Sequence, residues 1–188
     1  MSEKSKQKEK LLITASRLFQ AQGYHGTGVK QIIEESNFPK GSLYYYFPGG
    51  KEELAIEAVK MTAEYVSKKI EMGLNKYDEP LEAIQKLIID MGQSFQKNRS
   101  IEGVPIASVA LESSLISEPL NQACQNAYRT FQDLFTQKLI NSGYGEKRAR
   151  ELGIVLNSMI EGAFLISFTT GNAESLFLIA EQLPAILK

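Results

Sequence analysis

Apolar residues recur at helical spacing from the first turns of this chain. Leu11, Leu12, Ala15, Leu18 and Phe19 share a helix face, and Gly23 stops that helix. Thr27 reads as the N-cap of a short second helix carrying Val29, Ile32 and Ile33. Ser36-Asn37-Phe38-Pro39 is a tight turn, and a third helix is predicted roughly from Lys40 to Tyr45, with Pro39 tolerated in its first turn. Pro48-Gly49-Gly50 breaks the chain again. A long helix follows from near Lys51 to about Leu74, with Leu54, Ala58, Met61, Tyr65 and Ile70 inward. Three short helices in the first fifty residues, the last two separated by a tight turn, describe a helix-turn-helix unit.

Beyond Lys76-Tyr77-Asp78-Glu79-Pro80 the helical period continues. Residues 80–97 carry Leu81, Ile84, Leu87, Ile88, Met91 and Phe95, and residues 105–114 form a short apolar piece. Residues 119–141 form a long amphipathic helix ending at Asn141-Ser142-Gly143, and residues 146–170 and 173–187 form two more. No strand alternation, repeat or low-complexity tract is evident. The pattern predicts an all-α chain in two parts, residues 1–50 and residues 51–188, joined through the helix that begins at Lys51.

Composition narrows the function classes. With one cysteine, Cys124, no intramolecular disulfide can form and a cysteine-based metal site would lack partners. Cys124 is expected to be a small buried side chain on a helix. No run of eighteen apolar residues appears and the N-terminus lacks the apolar core of a signal peptide, so a cytoplasmic protein with no membrane partner is expected. The net charge of −1 argues against general nucleic-acid affinity, but its distribution is uneven. Residues 1–51 hold eight Lys/Arg against four Asp/Glu, whereas the remainder is acidic. A modest excess of this size also arises by chance.

The segment Lys40-Gly41-Ser42-Leu43-Tyr44-Tyr45-Tyr46-Phe47 carries the chemistry. Residues 36–51 contain two lysines, three adjacent tyrosines and no carboxylate. A short helix that shows hydroxyls and cations, with no acid to repel phosphate, suits the surface of DNA. The run from Gly23-Tyr24 through Thr27, Ile32-Ile33 and this segment to Lys51-Glu52-Glu53-Leu54 resembles the N-terminal domain of TetR-family transcriptional regulators. The Phe47-Pro48-Gly49-Gly50-Lys51 turn is one residue longer than the usual family version. With the stretches Ile101 to Glu112 and Ile116 to Leu120, it is similar to the LmrA/YxaF-like branch. Relatives commonly carry Ser or Thr where Pro39 stands, so a cap or phosphate contact there is lost.

The resemblance implies an N-terminal three-helix DNA-binding domain joined to a C-terminal helical domain for ligand binding and dimerisation. In such a frame Gly41 lets the recognition helix approach the groove, and Lys40 and Ser42 reach base edges or phosphates. Tyr44 and Tyr45 offer a ring to a thymine methyl and a hydroxyl to phosphate, while Tyr46 faces the flanking backbone. Leu43 and Phe47 hold the helix against Leu18, Phe19 and Ile32. Lys51 and Thr27, at helix starts, are phosphate contacts. Core packing remains the alternative for the tyrosines, and simple solvation for the two lysines.

The later helices carry more apolar residues than one buried face needs. Leu152, Val155, Met159, Ala163 and Ile166 make one stripe, and the last helix adds Leu176, Phe177, Ala180 and Leu183. The resemblance assigns these two helices to a four-helix bundle with a two-fold mate, giving a homodimer; a monomeric core is the alternative. Met91, Phe95, Ile106, Val109, Tyr128, Phe131, Phe135 and Phe164 are expected to line an apolar cavity, with Asn157 or Glu161 as its polar handle. Plain core packing is the alternative for the apolar members. The Glu161 carboxylate needs a partner in this apolar run: a ligand donor, Arg129 or a backbone amide.

An enzyme is not expected. His25 is the single histidine and lies remote in sequence from Cys124, and no phosphate loop, metal-spaced cluster or serine elbow appears. No cofactor and no metal are expected. The expected function is a dimeric repressor that holds double-stranded, pseudo-palindromic operator DNA and is released by a small apolar or planar aromatic effector. A TetR-like activator, a ligand-independent regulator and a helical protein–protein adaptor are the alternatives.

Overall fold

The computed structural model describes residues 3–98 and 106–188, without the side chains of residues 3–6, Lys40 and Asn98. Ile101 to Pro105, the first part of the branch-like stretch, lies outside the described residues. Among the described residues there are nine α-helices, one 3-10 turn and no strand. The helices are α1 Glu3–Gly26, α2 Val29–Ser36, α3 Leu43–Tyr46, α4 Gly50–Leu74, α5 Pro80–Asn98, α6 Ala107–Ile116, α7 Glu118–Asn141, α8 Glu146–Thr170 and α9 Glu174–Ile186. They fall into two compact units. Of the described residues, the first takes 3–64 and 106–127 and the second takes 65–98 and 128–188, so α4 and α7 each contribute to both.

In the first unit α6 packs along α1. Its core includes Leu11, Leu18 and Phe19 of α1, Ile32 of α2, Leu43, Phe47, Leu54 and Val109, all nearly or fully buried. A polar seam accompanies that core. The Ser16 and Thr62 hydroxyls meet at 2.6 Å, and the Gln20 amide donates to both. Such a seam is satisfied only at one register of α4 on α1, which fixes the angle at which the turn before α4 is held.

α1 does not stop at Gly23 but kinks there, with φ 73° and ψ 177°. That backbone region is open essentially to glycine alone. The Glu112 carboxylate of α6 occupies the space that a Cβ at Gly23 would need, and it accepts the His25 N–H at 2.8 Å. The kink also redirects Thr27. Gly28, not Thr27, stands at the N-cap of α2. Thr27 is fully buried, and its hydroxyl donates to Leu18 O at 3.1 Å and Gly23 O at 2.8 Å. A bent helix end leaves carbonyls without donors, and Thr27 supplies one. α2 ends at Asn37, whose left-handed φ of 54° suits an asparagine C-cap.

In the second unit α9 packs against α5 and α8. α7 and α8 approach closely at Gly153, where an added Cβ would meet Thr136 Oγ1 and Gln132 O. The Tyr144 hydroxyl donates to Leu187 O at 2.7 Å and ties the α7–α8 turn to the end of α9. Tyr65, expected inward, is exposed instead, with Lys69 Nζ 4.5 Å above its ring. α8 is also long and apolar enough, by length and composition, to cross a membrane, which the sequence reading missed. Leu152, Leu156, Ile160 and Ala163 nonetheless pack it into the core of its own unit, as expected of a core helix.

Gly23→Ala is expected to lower the unfolding free energy by about 1–3 kcal/mol, the cost of a side chain in this backbone region. Urea unfolding checks it. Adding Glu112→Ala is expected to recover part of the loss, because the carboxylate occupies the Cβ position.

Candidate DNA interface and effector site

The recognition segment is short. A 3-10 turn spans Lys40–Ser42 and α3 adds only Leu43–Tyr46. Sequence periodicity predicts one continuous helix here, but Pro39 stands extended at ψ 121° and Ser42 N–H bonds back three residues to Pro39 O at 2.9 Å. A four-residue α-helix has no stability of its own. It persists because Leu43 and Phe47, four apart, are 0% and 1% exposed, with Lys8 Nζ over the Phe47 ring.

Burying that face turns the other outward. Tyr44 and Tyr45 are 62% and 79% exposed, too open for a core role. Tyr46 is half-buried, edge-on to Phe38 at 5.8 Å and to Tyr45 at 5.0 Å. Gly41 is exposed, and a Cβ there would touch nothing within 4 Å, so packing within the chain does not require its glycine. Ser42 is half-buried at the end of the 3-10 turn, and the Lys40 side chain lies outside the described residues.

Lys51 is not a freely solvated cation. Its Nζ lies 4.3 Å over the Tyr24 ring. Burial pushes its pKa down, opposed by the Glu112 carboxylate. At the start of α4 the Gly49 N–H is capped by Glu53 Oε2 at 2.8 Å. Thr27 is corrected outright as a phosphate contact: its hydroxyl is buried and committed to two carbonyls. Lys30, in the first turn of α2, is exposed and 3.8 Å from Glu34, and the sequence reading passed over it.

The expected effector residues divide between the units. Ile106 and Val109 are buried in the first. Met91, Phe95, Tyr128, Phe131, Phe135, Asn157, Glu161 and Phe164 belong to the second. Phe95, Phe131, Phe135 and Asn157 are buried, whereas Met91, Tyr128, Glu161 and Phe164 are half-buried. Phe95 meets Phe168, a residue absent from the expected lining, edge-on at 4.9 Å. The partner of Glu161 is the Tyr128 hydroxyl, and its Oε2 is buried with no hydrogen-bond partner. Burial therefore pushes its carboxyl up to about 7, with the Tyr128 bond opposing. By contrast Cys124 is a buried, unreactive thiol, its pKa raised by burial.

The expected dimer stripe needs correction. Leu152, Ala163, Leu176, Ala180 and Leu183 are buried within the second unit. Met159 and Phe177 are half-buried. Val155 and Ile166 are exposed, and with Ile154, Leu165 and Leu178, which the sequence reading missed, they form the apolar outer surface of α8 and α9. These five are 43% to 60% exposed.

The Glu161 shift has a sign in stability. A folded-state pKa of about 7 against an ordinary 4.5 means that, between those values, the unfolded chain releases a proton the folded chain keeps. Glu161 therefore costs stability as pH rises through that window. Glu161→Gln is expected to flatten the fall and to be more stable than the parent above it, by about 1–3 kcal/mol at roughly 1.4 per pKa unit. Thermal unfolding at a series of pH values reads this directly, and an unchanged slope would remove Glu161 as its source.

Comparison with known proteins agrees with this architecture. Residues 11–58 match the model of bacterial regulatory proteins of the tetR family, and residues 80–182 match the C-terminal domain of LmrA/YxaF-like transcriptional regulators. The chain is 45% identical over 188 residues to the uncharacterised HTH-type transcriptional regulator YxaF of Bacillus subtilis, covering 100% of this chain and 98% of that one. It is 47% identical over 181 residues to the HTH-type transcriptional regulator LmrA of the same organism, covering 96% of each. The fold is similar to that of reduced NemR from E. coli, with a TM-score of 0.83 at 22% identity over 95% of both chains. The chain thus belongs to the TetR family of helix-turn-helix transcriptional regulators, in its LmrA/YxaF-like group, a family of regulators rather than enzymes.

Proposed function

We propose that this regulator is a homodimeric repressor that holds a pseudo-palindromic operator and leaves it when a small apolar or aromatic effector binds. Residues 1–50 read the DNA, and residues 51–188 bind the effector and dimerise. The observation that carries the reading is the recognition segment: buried Leu43 and Phe47 leave Tyr44, Tyr45 and the Gly41 backbone outward with no carboxylate among them. Tyr rings and hydroxyls there suit thymine methyls and phosphates. Lys40 and Ser42 precede them at the helix start, Tyr46 flanks them, and Lys51 adds a cation.

One such segment is too small to hold an operator alone, so two are needed about 34–36 Å apart. The exposed Ile154, Val155, Leu165, Ile166 and Leu178 support pairing of α8 and α9 with those of a second copy. An added Cβ at Gly162, on the same helix, would meet nothing within 4 Å in the monomer, leaving room for a partner helix. The effector acts through its differential affinity for the DNA-bound and free dimer geometries. The proposal extends to a cytoplasmic setting, in keeping with the bacterial regulators it resembles.

Two outcomes test this. Lys51→Ala is expected to weaken DNA binding across sequences alike and to lower the slope of log affinity against log salt by about one. Fluorescence anisotropy over a salt series measures it, and an unchanged slope would remove Lys51 from the phosphate contacts. The double variant Leu165→Glu, Ile166→Glu is expected to be monomeric by light scattering, with unchanged helicity and loss of operator binding. A folded dimer of this variant would place the interface elsewhere.

A further inference from the structure

Asn157, Glu161, Phe164 and Phe168 follow one another along α8 at spacings of four, three and four, so they share one face. Contacts at two points fix where this face looks. Phe168 meets Phe95 of α5 edge-on at 4.9 Å, and Glu161 takes the hydroxyl of Tyr128 from α7. The Tyr128 ring meets Phe131 edge-on at 6.3 Å. The face is thus bounded by α5 on one side and α7 on the other, all within the second unit.

Aromatic residues share this face, and one polar atom on it is unsatisfied. Glu161 Oε2 is buried without a hydrogen-bond partner, whereas the other side of the carboxyl receives Tyr128. A carboxylate oxygen bare in an apolar surround is costly, and folding alone would be better served there by an amide or a hydrocarbon. The cost is recovered when a cationic donor reaches Oε2, because charge and hydrogen bond are then met together. A neutral aromatic hydroxyl would offer Oε2 only an uncharged hydrogen bond, and an anion would meet the carboxylate head-on.

We propose that this face of α8 binds an aromatic monocation, its ammonium on Glu161 Oε2 and its rings beside Phe95, Phe164 and Phe168. The assignment rests on the effector role proposed above and names the chemistry of that effector. Tyr128 is a positioning residue, holding the carboxyl so that Oε2 faces the ligand.

Calorimetric titration of the full-length protein with three matched probes tests it: naphthylmethylamine as cation, naphthylmethanol as neutral isostere and naphthoate as anion. Near about pH 8 the amine is charged and the raised carboxyl is largely ionised. The amine is expected to bind about tenfold or more tighter than the alcohol, as one charge-assisted hydrogen bond would give, with naphthoate weakest. Glu161→Gln is expected to bring amine and alcohol within about twofold while leaving the affinity for the alcohol in place. Its thermal midpoint is expected at or above that of the parent, which shows that the fold is kept. Equal binding of amine and alcohol by the parent, or a cation preference that survives Glu161→Gln, would overturn the aromatic-cation assignment alone. Failure of all three probes to bind would overturn the effector reading of this face together with it.

Discussion

The burial of Leu43 and Phe47 is the constraint on which the rest depends. The recognition segment is one 3-10 turn and four α-helical residues, far below the length at which a helix holds itself in water. Two side chains pressed into the first unit keep it formed, and the same anchoring decides what faces out. Because Leu43 and Phe47 are four apart, Tyr44 and Tyr45 between them are turned to solvent. Presentation of the outward tyrosines is thus a by-product of core packing.

The surface that receives those anchors is itself set by polar devices. The Ser16–Thr62–Gln20 seam fixes α4 on α1, and Glu112 with Ser108, whose hydroxyl donates to Gln20 O at 2.9 Å, fixes α6 on the kinked end of α1. A helix from the central part of the sequence therefore belongs to the compact unit that carries the recognition segment. Any displacement of α6 would be felt at Gly23, at Thr27 beneath it and at Lys51, whose ammonium Glu112 also influences. Within the first unit these polar groups thus tie α6, the kinked end of α1 and the start of α4 to one another.

Helix positions were largely legible because periodicity and the breaks at Asn37, Pro48-Gly49 and Gly143 are local signals. The outward tyrosines were legible too, since the apolar pair enclosing them fixes the register. What failed needed tertiary knowledge. Thr27 looked like an N-cap, but the kink at Gly23 made carbonyls that only its hydroxyl reaches. The apolar excess of α8 and α9 was visible, yet periodicity cannot separate a face turned to the chain's own core from one left outside; Leu152 and Leu165 look alike in sequence. The apolar residues of α6 are not gathered on one face, with Leu111 and Leu115 exposed and Val109 buried, so its orientation was not encoded in its pattern. Glu161 was singled out as costly, but Tyr128, its partner on another helix, was not a local inference.

A footprint of the purified protein on the DNA upstream of its own gene tests the central claim most directly. The account predicts two protected blocks related by two-fold symmetry, centred about 34–36 Å or a multiple of it apart, that disappear when Tyr44 and Tyr45 are both replaced by alanine in a protein that stays folded. Protection unaffected by that double replacement would mean that another surface reads the DNA, and would contradict the role assigned to the segment that Leu43 and Phe47 hold in place.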